Sequence, residues 1–284
     1  MSLSAEAIER VVRMALLEDA PWGDVSAETL IPVEARVSAK LVAREAGVLC
    51  GEAVFAAAMT LTDPAIAVDF KLHDGARFAA GDLIATVDGP ARGVLQGERI
   101  ALNFAQRMSA IATMTAEYVT QVSGTKARIV DTRKTTPGLR LLERYAVRCG
   151  GGYNHRFSLS DAVMAKDNHL AILTAGGAKD LTTALKEARA RMPHTTHFEV
   201  EVDRPDQIEP VLAAGVDTIM LDNFTTEQMR AGVEHVRGRA LVEASGGITL
   251  SRIREIAETG VDIISVGALT HSVRALDLGL DIEA

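Results

Sequence analysis

Cationic side chains are concentrated in one stretch, residues 131–169, of a chain whose formal net charge is -8. Arg133, Lys134, Arg156 and Lys166 lie there among glycines and turn residues. Arginine binds carboxylates and phosphates through paired hydrogen bonds, so several such cations suit a small ligand with several negative charges. A single Arg-Lys pair is usually a solvated turn, but cations recur at both ends of the next β-α unit, which favours a binding site. We therefore expect a site for a small polyanion.

Composition limits the classes of protein that the chain can belong to. Its 284 residues are enough for one barrel and a smaller domain, and their hydrophobic content of 48% predicts a globular protein. The acidic balance argues against binding of nucleic acid or of an anionic membrane. Cys50 and Cys149 form no C-x-x-C motif, which argues against a disulfide framework and structural zinc and favours the cytoplasm. No apolar run approaches the roughly 18–20 residues of a membrane span, and no signal peptide is expected.

The first part of the chain predicts a small α+β domain, because short strands alternate with a few helices. We expect helices over residues 4–17 and 52–61, strands over 37–44, 66–72 and 83–87, a short apolar stretch over 47–51, and a turn at Asp88-Gly89-Pro90. A long helix is predicted over residues 98–122, since apolar side chains recur there at steps of three and four. Its Arg99 and Arg107 would ordinarily be solvated.

From Lys126 onward, apolar strands alternate with helices, the pattern of an α/β protein with a parallel sheet. The predicted strands cover residues 127–131, 162–165, 197–202, 218–221, 240–243 and 263–266, and the predicted helices 139–149, 179–191, 205–214, 226–236 and 250–259. Polar residues follow the strands. The carboxyl ends of barrel strands form the active-site face, whereas an open sheet would spread these residues along an edge, so we expect a barrel.

Acidic residues end two neighbouring strands. In the alternating run Phe198–Val202, Glu199 and Glu201 share one parity and would both face the barrel interior. Buried carboxylates need partners, and the basic residues could supply them. Alternatively, Glu201 and Asp222 could share a sugar diol or a hydrated Mg²⁺, which uses one or two carboxylates together with substrate phosphates.

Glycine-rich loops indicate a phosphate site. Ser245-Gly246-Gly247 precedes a helix expected near Leu250, and Gly267-Ala268 follows the last strand, which ends at Val266. Glycine lets the backbone approach an anion, and barrels frequently bind phosphate between their last two loops. A third loop, Gly150-Gly151-Gly152, leads into Asn154-His155-Arg156 and is expected to present side chains to a ligand. His155 could equally be a structural histidine.

Several motifs, taken together, resemble one family, and they run in order along almost the whole chain. They are Glu18-Asp19 with Gly23-Asp24, Glu98-Arg99 to Thr113, Asp131 to Arg140, Tyr145 to Arg148, Gly150 to Arg156, Lys166-Asp167-Asn168-His169, Glu199 to Glu201, Leu221-Asp222-Asn223, Glu243 to Ile248, and Gly267 to Ser272. The chain is thereby identified as a member of the quinolinate phosphoribosyltransferase family, also called nicotinate-nucleotide pyrophosphorylase (carboxylating). It departs from the family at Ala110, where a glycine is common.

The resemblance implies a transferase of NAD biosynthesis that converts quinolinate and phosphoribosyl pyrophosphate to nicotinate mononucleotide, pyrophosphate and CO₂ with Mg²⁺. It implies that quinolinate is held by Arg133, Arg156, Lys166 and His155, with Arg99 lent by the partner subunit of a homodimer. Lys134 would face pyrophosphate, and Glu201 and Asp222 would hold the ribose and Mg²⁺. The 5′-phosphate would lie on Ser245, Gly246, Gly247 and Gly267. Thr132, Val266 and Ala268 complete the expected substrate-binding set, and Lys134, Lys166, Glu201 and Asp222 the catalytic one.

The resemblance also implies the architecture, an incomplete TIM-like α/β barrel over residues 106–272. A smaller α+β domain over residues 1–105 would be joined by the tail, residues 273–284.

Three alternatives stay open at this point. One is a related protein encoded with molybdate transporters, against which the complete Lys166-to-His169 motif speaks. Another is a Schiff-base aldolase with Lys166 as nucleophile. The third is a non-catalytic protein that binds phosphorylated sugars.

Overall fold

A computed structural model describes residues 3–175 and 180–283, and contacts within the chain divide them into two compact units. Its helices are α1 Ala5–Asp19, α2 Val25–Leu30, α3 Glu52–Thr60, α4 Ala91–Gln121, α5 Arg140–Cys149, α6 Asp167–Thr174, α7 Leu181–Ala190, α8 Ile208–Leu212, α9 Thr226–Val236, α10 Ile253–Ala257 and α11 Ala268–His271. Its strands are β1 Arg36–Ala43, β2 Gly47–Val48, β3 Ala67–Phe70, β4 Arg77–Phe78, β5 Leu83–Pro90, β6 Arg128–Val130, β7 Val163–Ala165, β8 Phe198–Val202, β9 Thr218–Asp222, β10 Leu241–Ser245, β11 Ile263–Ser265 and β12 Leu278–Glu283. None of the described helices is both long and apolar enough to cross a bilayer.

The first unit contains the residues described up to Ala116, then Lys134–Gly151, and those from Ala268 onward. Its main sheet has four strands in the order β12-β1-β5-β3, with antiparallel pairing throughout. The alternating burial of β1 places Leu41 on the covered face, as expected for a sheet with one solvated side. The last strand of the chain, β12, therefore lies at one edge of this sheet, next to the first strand, β1.

Two boundaries in this unit differ from the prediction. The predicted turn at Asp88-Gly89-Pro90 is wrong, because β5 runs through Pro90 and Gly89 pairs with Val37. A Cβ at position 89 would lie 2.7 Å from a side-chain carbon of Ile66, so the glycine serves close packing of the strand. Helix α4 consequently begins directly after the strand, at Ala91, well before the predicted start.

The second unit, Glu117–Arg133 with Gly152–Gly267, holds a six-stranded parallel sheet in the order β6-β11-β10-β9-β8-β7. The first strand of the unit, β6, thus pairs with the last, β11, which is how a sheet closes into a barrel. On its other side β6 makes only a single parallel bridge in the described chain, from Val130 to Tyr153. The α/β class with a smaller antiparallel domain is confirmed, whereas the domain boundaries stay a prediction.

The predicted β-α order holds in this unit, with differences at its helices. Helix α6, directly after Lys166, was not predicted because its eight residues are too few for a clear period. The helix expected near Leu250 begins only at Ile253 and spans five residues. The helix predicted from Lys179 begins at Leu181; Lys179 itself lies outside the described residues.

Candidate active site

Strand register places Lys166 beside Glu201. Met164 of β7 pairs with Glu199 of β8, and each of the two charged residues follows two positions later. Residues two apart in a strand direction share one face, so both side chains point the same way. Lys166 Nζ donates to Glu201 Oε2 at 2.8 Å, and the Glu201 side chain is only 11% exposed. A carboxylate at the carboxyl edge of the sheet is thereby held by a cation from the neighbouring strand.

The next two strand ends are locked together by Asn223. Asp222 of β9 pairs with Ser245 of β10, and the N–H of Asn223 donates to the Ser245 carbonyl at 3.0 Å. Asn223 itself adopts a left-handed φ of 58°, and its Nδ2 donates to Asp222 Oδ2 at 2.7 Å. A Cβ at Gly246 would lie 2.2 Å from Asn223 Oδ1 and 2.8 Å from its backbone nitrogen. Only glycine fits there, which brings an open backbone to the expected phosphate loop.

Arg133 and Arg156 form the cationic part of the second unit. Both are half-buried, and burial, followed by the charge of Arg133, lowers the pKa of Arg156. Nη1 of Arg156 donates to the carbonyl of Ala162 at 2.9 Å, which fixes one edge of its guanidinium. Nε of Arg133 is buried, and no residue of the described chain accepts its hydrogen. Two neighbouring guanidiniums that repel each other would be stabilised by an anion with two negative groups.

Asp131 anchors the loop that carries Arg156. The carboxylate is fully buried at the end of β6 and accepts a hydrogen bond from Asn154 Nδ2 at 2.5 Å and from the N–H of His155 at 2.8 Å. A buried carboxylate that receives donors from one loop fixes the path of that loop. The sequence offered a signal for this role, since an aspartate directly follows an apolar strand.

His155 lies between two buried carboxylates, Glu199 and Glu243. Its Nε2 is 3.0 Å from Glu199 Oε2 and 3.6 Å from Glu243 Oε2, while its Nδ1 accepts the N–H of Arg156 at 2.8 Å. Burial lowers the pKa of His155, but hydrogen bonds and charges of the two glutamates outweigh it and raise the pKa. A charged ring would have a hydrogen on both nitrogens, so the Arg156 N–H that points at Nδ1 favours the neutral ring, with its single hydrogen on Nε2. Nε2 is then a donor to the carboxylates and not a metal ligand.

Glu243 is the member of this cluster that the sequence did not reveal as functional. Burial and the charge of Glu199 raise the pKa of Glu243 to about 7. The cluster meets the expectation that inward carboxylates find basic partners, since His155 serves Glu199 and Lys166 serves Glu201. Both ring nitrogens of His155 thus contact protein groups.

Lys134 follows Arg133 but belongs to the first unit. Its carbonyl accepts the hydroxyl of buried Thr270 at 2.7 Å, and two residues later the N–H of Thr136 donates to Glu143 at 3.1 Å. Arg107 completes this anchor: Nη2 lies 2.6 Å from Glu143 Oε1 and 2.8 Å from the Thr136 hydroxyl. The expectation that Arg107 is solvated is therefore wrong, because its partner Glu143 is buried and lies on a separate helix.

The remaining predicted residues occupy varied settings. Arg99 is exposed on α4, and nothing within residues 3–175 and 180–283 pairs with it. Thr132 is half-buried, and buried Val266 donates its N–H to Val130. Gly247 has φ 58° and is exposed, beside Ser245 at the end of β10. Residues Gly267 and Ala268 end the second unit and resume the first.

The fold is that of an α/β protein with a six-stranded parallel sheet, and basic and acidic side chains are gathered at the carboxyl ends of its strands. Residues 24–109 match the N-terminal domain model of quinolinate phosphoribosyl transferase, and residues 111–281 match its C-terminal domain model. The chain belongs to this family.

Relatives are similar over their whole length. The chain is 43% identical to the nicotinate-nucleotide pyrophosphorylase (carboxylating) of Mycobacterium leprae (strain TN), over 98% of both chains. It is 40% identical to the probable enzyme of the same name in Bacillus subtilis (strain 168), over 97% of this chain and 93% of that one. The solved structure of NadC from Streptococcus pyogenes superposes with a TM-score of 0.93 at 41% identity, and the match covers 100% of both chains.

Proposed function

We propose that the chain is a quinolinate phosphoribosyltransferase (decarboxylating) of NAD biosynthesis. Quinolinate and phosphoribosyl pyrophosphate would give nicotinate mononucleotide, pyrophosphate and CO₂. The observation that carries this proposal is the pair of half-buried guanidiniums, Arg133 and Arg156, with the buried and unpartnered Nε of Arg133. Such a pair suits a rigid dicarboxylate, and the two family models that match the chain are named for quinolinate.

Quinolinate would be bound by Arg133, Arg156 and Lys166. The first two would each bind a carboxylate through paired hydrogen bonds, and Lys166 would supply a third charge from the end of β7. His155 would position Arg156, because its Nδ1 accepts the backbone N–H of Arg156 while its Nε2 contacts the buried glutamates.

The phosphorylated sugar would occupy the neighbouring strand ends. Glu201 and Asp222 would accept hydrogen bonds from the ribose hydroxyls, and Lys134 would bind pyrophosphate. Backbone N–H groups of Gly246 and Gly247 would bind the 5′-phosphate, with Ser245 and Gly267 beside them. Asn223 lies so close to Gly246 that no Cβ would fit, which supports a fixed loop here.

Mg²⁺ fits the donor set of this site. Lys166 donates to one oxygen of Glu201, and Asn223 donates to one oxygen of Asp222. Among the described residues, nothing pairs with the second oxygen of either carboxylate. Hard carboxylate oxygens from one or two residues, with substrate phosphates, are what Mg²⁺ takes in proteins. When bound, the ion would neutralise charge on the leaving pyrophosphate.

Positioning and charge stabilisation are sufficient for this chemistry. Displacement at the anomeric carbon passes through an oxocarbenium-like state, so the quinolinate nitrogen attacks and no protein nucleophile is needed. Once the nitrogen is alkylated, its positive charge stabilises the electron pair that CO₂ leaves on the adjacent ring carbon, and a proton from solvent then takes the place of the lost carboxyl group. Lys166 is half-exposed and ion-paired to Glu201, whereas a Schiff-base lysine lies desolvated in an apolar pocket, so the aldolase alternative is disfavoured.

A homodimer would complete the quinolinate site. Arg99 is exposed on α4 and unpaired in the described chain, the state of a cation available to a second subunit. Since both cysteines are free thiols, the cytoplasm stays the proposed compartment.

The test is an incubation of the purified chain with quinolinate, phosphoribosyl pyrophosphate and Mg²⁺, followed by mass spectrometry. Formation of nicotinate mononucleotide with release of CO₂ supports the proposal. A parallel incubation with nicotinate shows whether the second carboxylate is required. Binding of phosphoribosyl pyrophosphate without turnover would instead support the sugar-binding alternative.

A further inference from the structure

The two cysteines of the chain meet in the first unit, far from each other in sequence. The sulfurs of Cys50 and Cys149 and a carboxylate oxygen of Asp74 all lie within 4.8 Å of one another. Cys50 precedes α3, Asp74 lies in the turn between β3 and β4, and Cys149 ends α5. Three separate segments therefore present two sulfur donors and one oxygen donor to a common point.

Asp74 is held in place by three hydrogen-bond donors. Its Oδ1 accepts the N–H groups of Gly51 and Glu52 at 2.8 and 3.1 Å, and its Oδ2 accepts the Tyr145 hydroxyl at 2.8 Å. A carboxylate has about four lone pairs, so these three bonds leave one of them, on Oδ2, for a further partner. Hydrogen bonds to a ligating carboxylate are the usual outer support of a metal site.

The cluster is electrically suited to a cation. Cys149 lies at the carboxyl end of α5, where the helix carbonyls add negative partial charge. A reactive thiolate needs positive surroundings. A carboxylate and a helix C-terminus are negative surroundings, and they would instead stabilise a bound cation.

The geometry points to a binding site for one borderline-soft divalent cation of the zinc class, with Cys50, Cys149 and Asp74 as its protein ligands. Tetrahedral zinc with bonds of about 2.3 Å to sulfur needs its sulfurs about 3.8 Å apart, which the 4.8 Å cluster accommodates. Cys50 is fully buried and Cys149 half-buried, so solvent would reach the fourth position from the side of Cys149. The missing C-x-x-C motif concealed this arrangement in the sequence, because the ligands converge only in the fold.

The test is titration of the reduced, chelator-treated full chain with Co²⁺ alone. Because the chain has only two cysteines, a sulfur-to-cobalt charge-transfer band must come from this site. We expect one Co²⁺ per chain with such a band, displaced by one equivalent of Zn²⁺. Cys50→Ser and Cys149→Ser should each abolish the two-thiolate spectrum. Tyr145→Phe keeps all three ligands and should weaken binding about 10–100-fold.

The control is Glu243→Gln, which alters the other histidine and carboxylate cluster and contains no sulfur ligand; its band should match that of the unchanged chain. Circular dichroism of each serine variant separates loss of the ligand from loss of the fold. Absence of the band in the reduced, folded chain would overturn the proposal, as would a band of unchanged intensity in a folded Cys149→Ser variant.

Discussion

Lys166 and Glu201 are joined by a 2.8 Å ion pair that the register of β7 and β8 dictates. The pair links a cation proposed for quinolinate with a carboxylate proposed for the ribose. It therefore sets the separation of two binding groups, and its value lies in positioning more than in stability, because the Lys166 side chain is 47% exposed.

If the Lys166–Glu201 pair positions substrate groups more than it stabilises the fold, substitutions in it should affect activity and folding differently. Lys166→Gln and Glu201→Gln should each lower kcat/KM by about 100-fold or more, since each removes a charged contact to substrate. The free energy of unfolding should change by less than about 1 kcal/mol, the range of partly exposed pairs. Steady-state kinetics and urea unfolding measure the two quantities. A large loss of stability with intact kcat/KM would assign the pair to the fold alone.

Arg133 should discriminate between the two substrates. Its buried, unpartnered Nε is placed for a carboxylate, so Arg133→Ala should weaken quinolinate binding by about 100-fold and leave phosphoribosyl pyrophosphate binding within about threefold. Isothermal titration with each substrate gives both affinities. Arg204→Ala is the control, since that arginine is exposed and pairs with Asp206. Equal losses for both substrates would refute the assignment.

Gly246 offers a test of the proposed phosphate loop. Gly246→Ala forces a Cβ within 2.8 Å of the Asn223 backbone, in addition to the strain of φ 83°. Gly215→Ala is the matched control, because its φ of 76° carries similar strain but nothing lies within 4 Å of the added carbon. Gly215→Ala should lose about 1–2 kcal/mol of stability from backbone strain, and Gly246→Ala should lose more because its Cβ also meets the Asn223 backbone. Only Gly246→Ala should also lose affinity for phosphoribosyl pyrophosphate, measured by titration; an equal effect of both would remove the loop from the site.

The sequence predicted the β-α alternation and the strand-end positions of Lys166, Glu201 and Asp222, because buried parallel strands have a clear apolar pattern and polar residues follow them. It did not predict that Arg107 reaches Glu143, or that Glu243 contacts His155. Those contacts join residues from separate elements, and only the packed fold determines which side chains meet. Short elements such as α6 were missed for another reason, since eight residues carry too little periodicity.

Glu243 should make stability depend on pH. Its folded pKa is raised to about 7 from 4.5, so the folded chain retains a proton that the unfolded chain releases across this interval. The contribution of this group to stability is therefore fully present below pH 4.5 and falls as pH rises to about 7. Relative to Glu243→Gln, the unchanged chain should lose about 3 kcal/mol over that window. Urea unfolding of both chains at several pH values measures this difference, and a difference that stays constant from pH 4.5 to 7 would contradict the prediction.

The proposal that Arg99 completes the site of the partner subunit can be tested by mixing two variants. If Arg99 of the partner subunit completes each quinolinate site, Arg99→Ala and Arg133→Ala homodimers should each be nearly inactive. After mixing and re-equilibration, half of the dimers carry one subunit of each kind, and one of their two sites contains both arginines. Activity should then recover to about one quarter of that of the unchanged enzyme, because half of the dimers have half of their sites intact. Mixing Arg133→Ala with Lys166→Gln should give no such recovery. Each of these residues serves the site of its own subunit, so both sites of the mixed dimer keep one change. Failure of the first mixture to recover, with heterodimers shown by native mass spectrometry, would place Arg99 in the site of its own chain or outside the site.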